Sequence, residues 1–188
     1  MKVGDRYTKR CKRYNLAGNA HELTFSCYNG RNFLSKERTC QWLAESIVKA
    51  RKKLDFALWA YVFMPNHVHL LIRPRKKDYS ISAILSEIKK PVARKAIYWV
   101  KNNKPDYLKY MATGQTSQQH RFWQQGGGYD RNVTRFDTLL NCDKYIHRNP
   151  VRKKLVKIPQ DWYFSSAADW KNVRQGPIEI DRKEWPAF

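Results

Sequence analysis

Phe56-Ala57-Leu58-Trp59-Ala60-Tyr61-Val62-Phe63-Met64-Pro65-Asn66-His67-Val68-His69-Leu70-Leu71-Ile72 decides the fold. It holds two apolar runs of strand length on either side of Pro-Asn. The first, Phe56 to Met64, is nearly continuous, as expected of a central strand buried on both faces. Pro65-Asn66 has the chemistry of a tight turn. The second run, Val68 to Ile72, returns and is stopped by Pro74. The pair reads as an antiparallel hairpin with His67 and His69 close to its turn. Residues i and i+2 of a strand share a face. The two imidazoles therefore lie side by side, about 7 Å apart along the strand, while Val68 points into the opposite layer. Two neutral imidazoles on one face make half of a metal site. The same pair also suits a half-solvated strand with no ligand.

The flanking segments alternate between strand and helix patterns. His21 to Tyr28 puts Leu23, Phe25 and Cys27 on one face and Thr24, Ser26 and Tyr28 on the other, a first strand closed by Asn29-Gly30. Ser35 is placed to cap a helix running to about Lys53, with Glu37 in its first turn. The apolar face of that helix is Trp42, Leu43, Ile47, Val48 and Leu54. Arg75-Lys76-Lys77-Asp78 reads as a solvated loop. A second helix is expected from about Ser80 to Val100, with Ile81, Ile84, Leu85, Ile88, Val92 and Ile97 at helical spacing and a kink or break at Pro91. Asn102 to His120 is polar and reads as an irregular, disorder-prone loop. Arg121-Phe122-Trp123 starts another extended piece, and Gly126-Gly127-Gly128 requires unusual backbone freedom. Thr134-x-x-Asp137 resembles a capping box opening a third helix, which carries Phe136, Leu139, Leu140 and Ile146 and ends near Asn149, before Pro150. Val151 to Phe188 forms a tail with short aromatic pieces. The order is β-α-β-β-α-β plus a helix, which fits an α+β, ferredoxin-like sandwich. Both long helices would lie on one face of an antiparallel sheet, leaving the other face for the last helix and a substrate.

The chain has 188 residues, enough for one domain with a real core: residues 1–188, with the core at about 21–150 and the tail at 151–188. Lys plus Arg is 37 against 16 for Asp plus Glu, a net charge of +21. Such a balance attracts polyanions. Seven Trp, eleven Tyr and eight Phe add surfaces on which unpaired bases stack. Nucleic acid is the expected partner. No apolar run reaches membrane-spanning length, and the basic stretch Met1 to Tyr14 lacks the apolar core of a secretory signal. Cys11, Cys27, Cys40 and Cys142 are scattered with no CxxC pair, so a structural zinc site is not expected. Reduced thiols in a cytoplasmic, nucleoid-associated protein are the simplest account.

The third helix offers further chemistry. Tyr145 and Asn149 are four apart on one helical face. An amide oxygen suits Mg²⁺ or Mn²⁺, and Tyr145 presents a phenolic oxygen one turn away. The plainer reading makes Tyr145 a half-buried helix residue and Asn149 a cap before Pro150. Tyr129 is an alternative nucleophile beside the glycines. His120 and His147 read as surface or DNA-contact residues, and Cys142 has no histidine base placed for it. Lys89, Lys90, Arg94 and Lys95 form a basic face on the second helix. With Arg121 and Arg131 beside the glycine segment, they are the candidate DNA track.

Met64-Pro65-Asn66-His67-Val68-His69-Leu70-Leu71 resembles the HUH motif (His, hydrophobic, His) of IS200-like tyrosine transposases. Tyr145-Ile146-His147-Arg148-Asn149-Pro150-Val151 is similar to the tyrosine-helix motif of their REP-associated branch. Arg121-Phe122-Trp123-Gln124, Tyr129-Asp130-Arg131 and Trp162-Tyr163-Phe164-Ser165-Ser166 match further signatures, from about His21 to Trp170 in consistent order. The resemblance implies the same ferredoxin-like fold and a metal-dependent endonuclease and strand transferase acting on single-stranded DNA beside hairpins or palindromic repeats. His67 and His69 match the metal pair, Asn149 the third ligand position, and Tyr145 the nucleophile, with Mg²⁺ or Mn²⁺ as cofactor. Tyr145 would form a covalent 5′-phosphotyrosine and release a 3′-OH. The bond energy is kept in that link, so no nucleotide cofactor is required, and no P-loop is present. The implied assembly is a monomer or a homodimer. The alternative is a hairpin-binding protein that does not cut or move DNA. Gly126-Gly127-Gly128 and the length of the Asn102 to His120 segment depart from the family pattern.

Overall fold

In the computed structural model, residues 14–126 and 128–186 are described. Cys11 and Gly127, and nearly all of the basic N-terminal stretch, lie outside them. The strands are β1 (Ala20–Ser26), β2 (Phe56–Phe63), β3 (His67–Pro74) and β4 (Tyr129–Val133). They form one antiparallel sheet in the order β2-β3-β1-β4. Helices α1 (Glu37–Leu54) and α2 (Ile81–Asn103) connect them, and α3 (Phe136–Arg152) follows β4. This is the ferredoxin-like α+β arrangement expected from the order of elements.

Strand alternation splits the apolar residues into two cores. Leu23 and Phe25 of β1, with Val68, Leu70 and Ile72 of β3, pack under α1 and α2. On the opposite face Trp59, Ala60, Val62, Leu71 and Val133 receive Leu139, Cys142 and Ile146 of α3. A shift in the β2–β3 register between Leu58 and Ala60 lets Trp59 and Ala60, adjacent in sequence, join the same core.

Some expectations need correction. Ser35 does not cap α1; the N-cap is Lys36, with no side-chain bond. The Thr39 hydroxyl instead donates to the Phe33 and Lys36 carbonyls. Ser80 does cap α2, accepting from the Ala83 N–H. Pro91 does not break α2, which continues to Asn103. The carbonyl that Pro91 leaves unbonded belongs to Glu87, and the Ser46 hydroxyl of α1 sits 3.3 Å from it and 2.8 Å from the Ile88 carbonyl. The Thr134/Asp137 box does not form, and α3 runs through Pro150 to Arg152. Its last turn is closed by the Lys153 N–H on Asn149 and the Leu155 N–H on Pro150, across Lys154 at φ 57°. The preference against helix before proline yields here to these terminal bonds. β3 continues past Ile72 and ends at Pro74 itself.

The segment 102–120 is ordered structure, not an irregular loop. It finishes α2, makes a 3₁₀ turn at Pro105–Tyr110, buries Met111 and pairs Ala112 with His120. The Arg121 guanidinium holds it together by donating to Gln115, Gln118 and Gln125. Arg75 is no solvated loop residue either. It donates to Glu184, Asp181 and Asp55 and so ties the tail to the sheet. The tail also pairs with the open edge of β2: the Phe63 N–H donates to Phe164, the Ser166 N–H to Tyr61, and the Leu58 N–H to the Asp181 carboxylate. An exposed β2 edge would invite pairing with another chain; the tail removes it.

Gly128 sits at φ 70°, and a Cβ there would collide with the Thr24 carbonyl. Gly114, at φ 73°, has open space around it. Gly128→Ala is expected to lower stability in urea unfolding by more than about 1 kcal/mol, and by more than Gly114→Ala. Equal losses would show that the close approach of β4 to β1 carries no weight.

Candidate active site

The site is built by register. Across the sheet, Tyr129 of β4 lies opposite Thr24 of β1, and Thr24 opposite His69 of β3. Residues opposite one another in antiparallel strands share a face, here the α3 face. On the neighbouring rungs Ser26 faces His67, and Arg131 faces Glu22. α3 then lays Tyr145 against this surface, with its ring 5.5 Å from that of His69, edge to face.

His67 and His69 are closer than strand rise alone suggests, their ring centroids 4.8 Å apart. Each Nδ1 meets an oxygen: Asn66 Oδ1 at 2.6 Å for His67 and Thr24 Oγ1 at 2.8 Å for His69. Such bonds fix ring orientation and, with Nδ1 as donor, leave the Nε2 lone pair available. His69 Nε2 is buried and has no hydrogen-bond partner among the described residues. A buried nitrogen of this kind costs free energy unless something binds it.

Burial lowers the affinity of both rings for a proton. His69 is pushed down to about 3, first by burial and then by the neighbouring His67. His67 is lowered by burial and by the Lys153 charge. Neutral imidazoles at pH 7 are the form that binds metal.

Asn149 is buried and lies one turn beyond Tyr145 and one turn short of Lys153. Tyr145 touches His69, and the Lys153 charge is felt at His67. Asn149 follows Tyr145 by four residues on α3. Its Nδ2 donates to the Tyr145 carbonyl at 2.9 Å, which leaves the amide oxygen as the end for a ligand. Among the described residues no group of three His, Cys, Asp or Glu forms a metal cluster. Two ring nitrogens and one amide oxygen are an acceptable donor set for a divalent cation whose remaining positions take water or substrate oxygens. The residues present thus fit such an ion.

Tyr145 is 41% exposed, open to a macromolecule on one side. Arg152 lies over its ring, 5.1 Å from the centroid. Beside Tyr145 is a cavity of about 620 Å³ whose lining includes Glu22, Thr24, His69, Tyr129, Arg131 and Asn141. Tyr129 lies across this cavity from α3 and is not in ring contact with the histidines in the way that Tyr145 is.

Of the six candidate DNA-binding residues, only Arg131 lines this cavity. Lys89, Lys90, Arg94 and Lys95 ride on α2, on the other face of the sheet. There Lys89 donates to the Gly126 carbonyl and Lys95 pairs with Glu45. Arg121 is occupied within its own loop. His147 is not a surface residue: it is buried, with Nε2 2.8 Å from the Ser166 hydroxyl and Nδ1 3.3 Å from Asp143. It anchors α3 to the tail. Cys142 is buried and donates its thiol to Glu22, and burial raises it to about 12. Thr24, Asn66, Arg152 and Lys153 were not singled out from sequence. The Thr24 role depends on cross-strand register, which a single strand pattern does not reveal.

A match to the IS200-like transposase family model covers residues 19–149, and the chain belongs to that family of transposase and nuclease enzymes. It is 28% identical over 170 residues, 90% of this chain and 88% of the relative, to the REP-associated tyrosine transposase of Escherichia coli (strain K12). Its fold is similar to a solved REP-associated tyrosine transposase bound to a REP hairpin. That match has a TM-score of 0.66, 19% identity and 95% coverage of each chain. Among the described residues no helix is long and apolar enough to cross a membrane.

Stability in chelator-containing buffer should depend on pH in a defined sense. An unfolded histidine takes up a proton near 6.5, whereas His69 in the fold stays neutral down to about 3. Between those values the unfolded chain binds more protons. The contribution is complete above 6.5 and is lost as pH falls, by up to ~1.4 kcal/mol per pH unit. Urea unfolding at pH 7.5, 6 and 4.5 should show that decline, flattened in His69→Gln. A His69→Gln profile as steep as that of the parent would contradict the assignment.

Proposed function

We propose that this chain cuts single-stranded DNA beside a hairpin and transfers the cut end, with Tyr145 as nucleophile and a divalent ion, Mg²⁺ or Mn²⁺, held by His67, His69 and Asn149. The observation that carries this reading is the contact of Tyr145 with His69, whose buried Nε2 lacks a partner. The REP-associated relative and the hairpin-bound fold neighbour support the class of substrate.

A bound divalent ion would supply positive charge for a non-bridging phosphate oxygen as charge builds there. The protein does the rest by position. Thr24 and Asn66 hold the two imidazoles in place. Asn149 fixes its own amide against the Tyr145 carbonyl, so ligand and nucleophile share one rigid turn of α3. Tyr145 Oη attacks phosphorus, the Oη–P bond forms and the P–O3′ bond breaks, leaving a 3′-OH and a 5′-phosphotyrosine. The phenolic proton passes to the departing O3′ or to water. Attack by another 3′-OH reverses the step, joins two DNA ends and returns the tyrosine. Arg152 over the Tyr145 ring provides a cation next to the reacting phosphate. Arg131 and Tyr129, at the cavity wall, suit a phosphate contact and a stacked base.

Incubating end-labelled hairpin oligonucleotides, with single-stranded flanks, in Mg²⁺ or Mn²⁺ should give a covalent adduct that survives denaturing electrophoresis. Tyr145→Phe and chelation should each abolish it. A wild-type chain that binds the hairpin tightly but forms no adduct with either metal would instead be a recognition protein. Thr24→Val should weaken Mn²⁺ affinity about 10- to 100-fold while leaving Tyr145 in place. Unchanged affinity in titration calorimetry would remove Thr24 from the site.

A further inference from the structure

A second cavity, of about 780 Å³, lies on the face of the sheet opposite the histidines, between the start of α1, the end of α2 and the 3₁₀ turn that follows. Phe33, Met111 and Phe122 are buried beneath it, and Trp42, Trp99 and Tyr107 stand at its walls. Planar aromatic walls over an apolar floor accept a planar apolar or aromatic group. The rim is basic. Lys36, Arg38 and Lys104 line it, with Arg38 Cζ 4.1 Å from the Trp99 ring centroid. Glu37 is the acid in the lining, and it already accepts from Gln41. A cavity that pairs ring faces with cations is complementary to a nucleotide, base inside and phosphate at the rim.

The surface continues beyond the cavity. Tyr107 packs edge to face on Tyr110 at 5.0 Å, and both are partly exposed. Arg31 lies 4.7 Å and Lys109 5.3 Å from the Tyr110 ring centroid. Arg31 belongs to the segment between β1 and α1, and that segment is bonded to the turn carrying the metal-pair histidines. The Leu34 N–H donates to the Pro65 carbonyl, the Cys27 N–H to the Asn66 carbonyl, and Asn66 Nδ2 to the Gly30 carbonyl. The segment that carries Arg31 is therefore tied to the β2–β3 hairpin tip, where His67 begins β3, and Arg31, Tyr110 and Tyr107 lead from it to the cavity.

We infer that this cavity is a subsite for unpaired bases of a DNA strand that passes round the Pro65-Asn66 turn from the His67 side. The inference deepens the DNA-cutting reading and rests on it for the identity of the polymer. Bases stack on Trp99, Trp42 and Tyr107, while Lys36, Arg38 and Lys104 meet the phosphates. The subsite grips a single-stranded flank and leaves the hairpin stem to other surfaces. It adds affinity for substrates with a flank and takes no part in bond making.

The test compares two probes, a fluorescein-labelled DNA hairpin with a single-stranded thymidine flank and the same hairpin without a flank. Anisotropy titrations use the full chain and the variants Trp99→Leu, Tyr107→Ala and Arg38→Gln. Trp99 is half-buried, so Tyr107→Ala and Arg38→Gln, at more exposed positions, keep the question open if Trp99→Leu folds poorly by circular dichroism. Each folded variant should bind the flanked probe about tenfold more weakly and the flankless probe as the parent does. Adduct formation at saturating DNA should not change. With 5-iodouracil in the flank, photocrosslinks should map to Trp99 or Tyr107. Unchanged affinity for the flanked probe, or equal loss on both probes, would overturn the subsite. If the parent forms no adduct but the flank-specific loss remains, the cutting reading fails and the subsite stands.

Discussion

The antiparallel pairing of β1 with β3 is the constraint on which the rest depends. It sets Thr24 opposite His69 and Ser26 opposite His67. A slip of one residue would turn both imidazoles into the core beneath α1 and α2 and bring Val68 and Leu70 to the α3 face. Apolar residues on both sides of the pair hold the register: Leu23, Phe25, Val68, Leu70 and Ile72 under α1 and α2, and Ala20 and Leu71 on the α3 side. The Cys27 N–H donates to the Asn66 carbonyl and extends the same ladder one rung past His67. A polar pair can thus sit in a mostly apolar layer, with the desolvation that keeps both rings neutral.

The two faces of the sheet divide the work. On one, α1 and α2 build the larger core and carry much of the basic surface. On the other, α3 brings Tyr145 to His69, and its position is set by Ile146 and Leu139 below and by His147 beside the tail. The tail is part of this frame. It covers the β2 edge, and Arg75 bonds it to Asp181 and Glu184. With a net charge of +21, the molecule draws a polyanion to all of its surface. The aromatic side chains distinguish places where a base can stay.

Much of this was legible in sequence where periodicity is strong. The hairpin, the first strand, both long helices and the α+β order follow from apolar spacing. The H-x-H pair and Tyr145 are residues whose rings the fold brings into contact. The failures share a cause: local signals were overridden by tertiary bonds. Pro91 continues a helix because Ser46, far away in sequence, satisfies a freed carbonyl. Residues 102–120 look like loop because their order comes from Arg121 and from burial of Met111, not from a pattern. His147 looks exposed until Ser166 is folded against it. The basic residues on α2 were grouped by helical spacing, which cannot say which side of the sheet the helix covers.

The proposed ion site is best tested by anomalous diffraction from crystals of Tyr145→Phe grown with Mn²⁺. One strong peak within bonding distance of His67 Nε2, His69 Nε2 and the Asn149 amide oxygen is expected. Mn²⁺ bound elsewhere, with His69 Nε2 facing only protein or water, would contradict the site and the chemistry assigned to it.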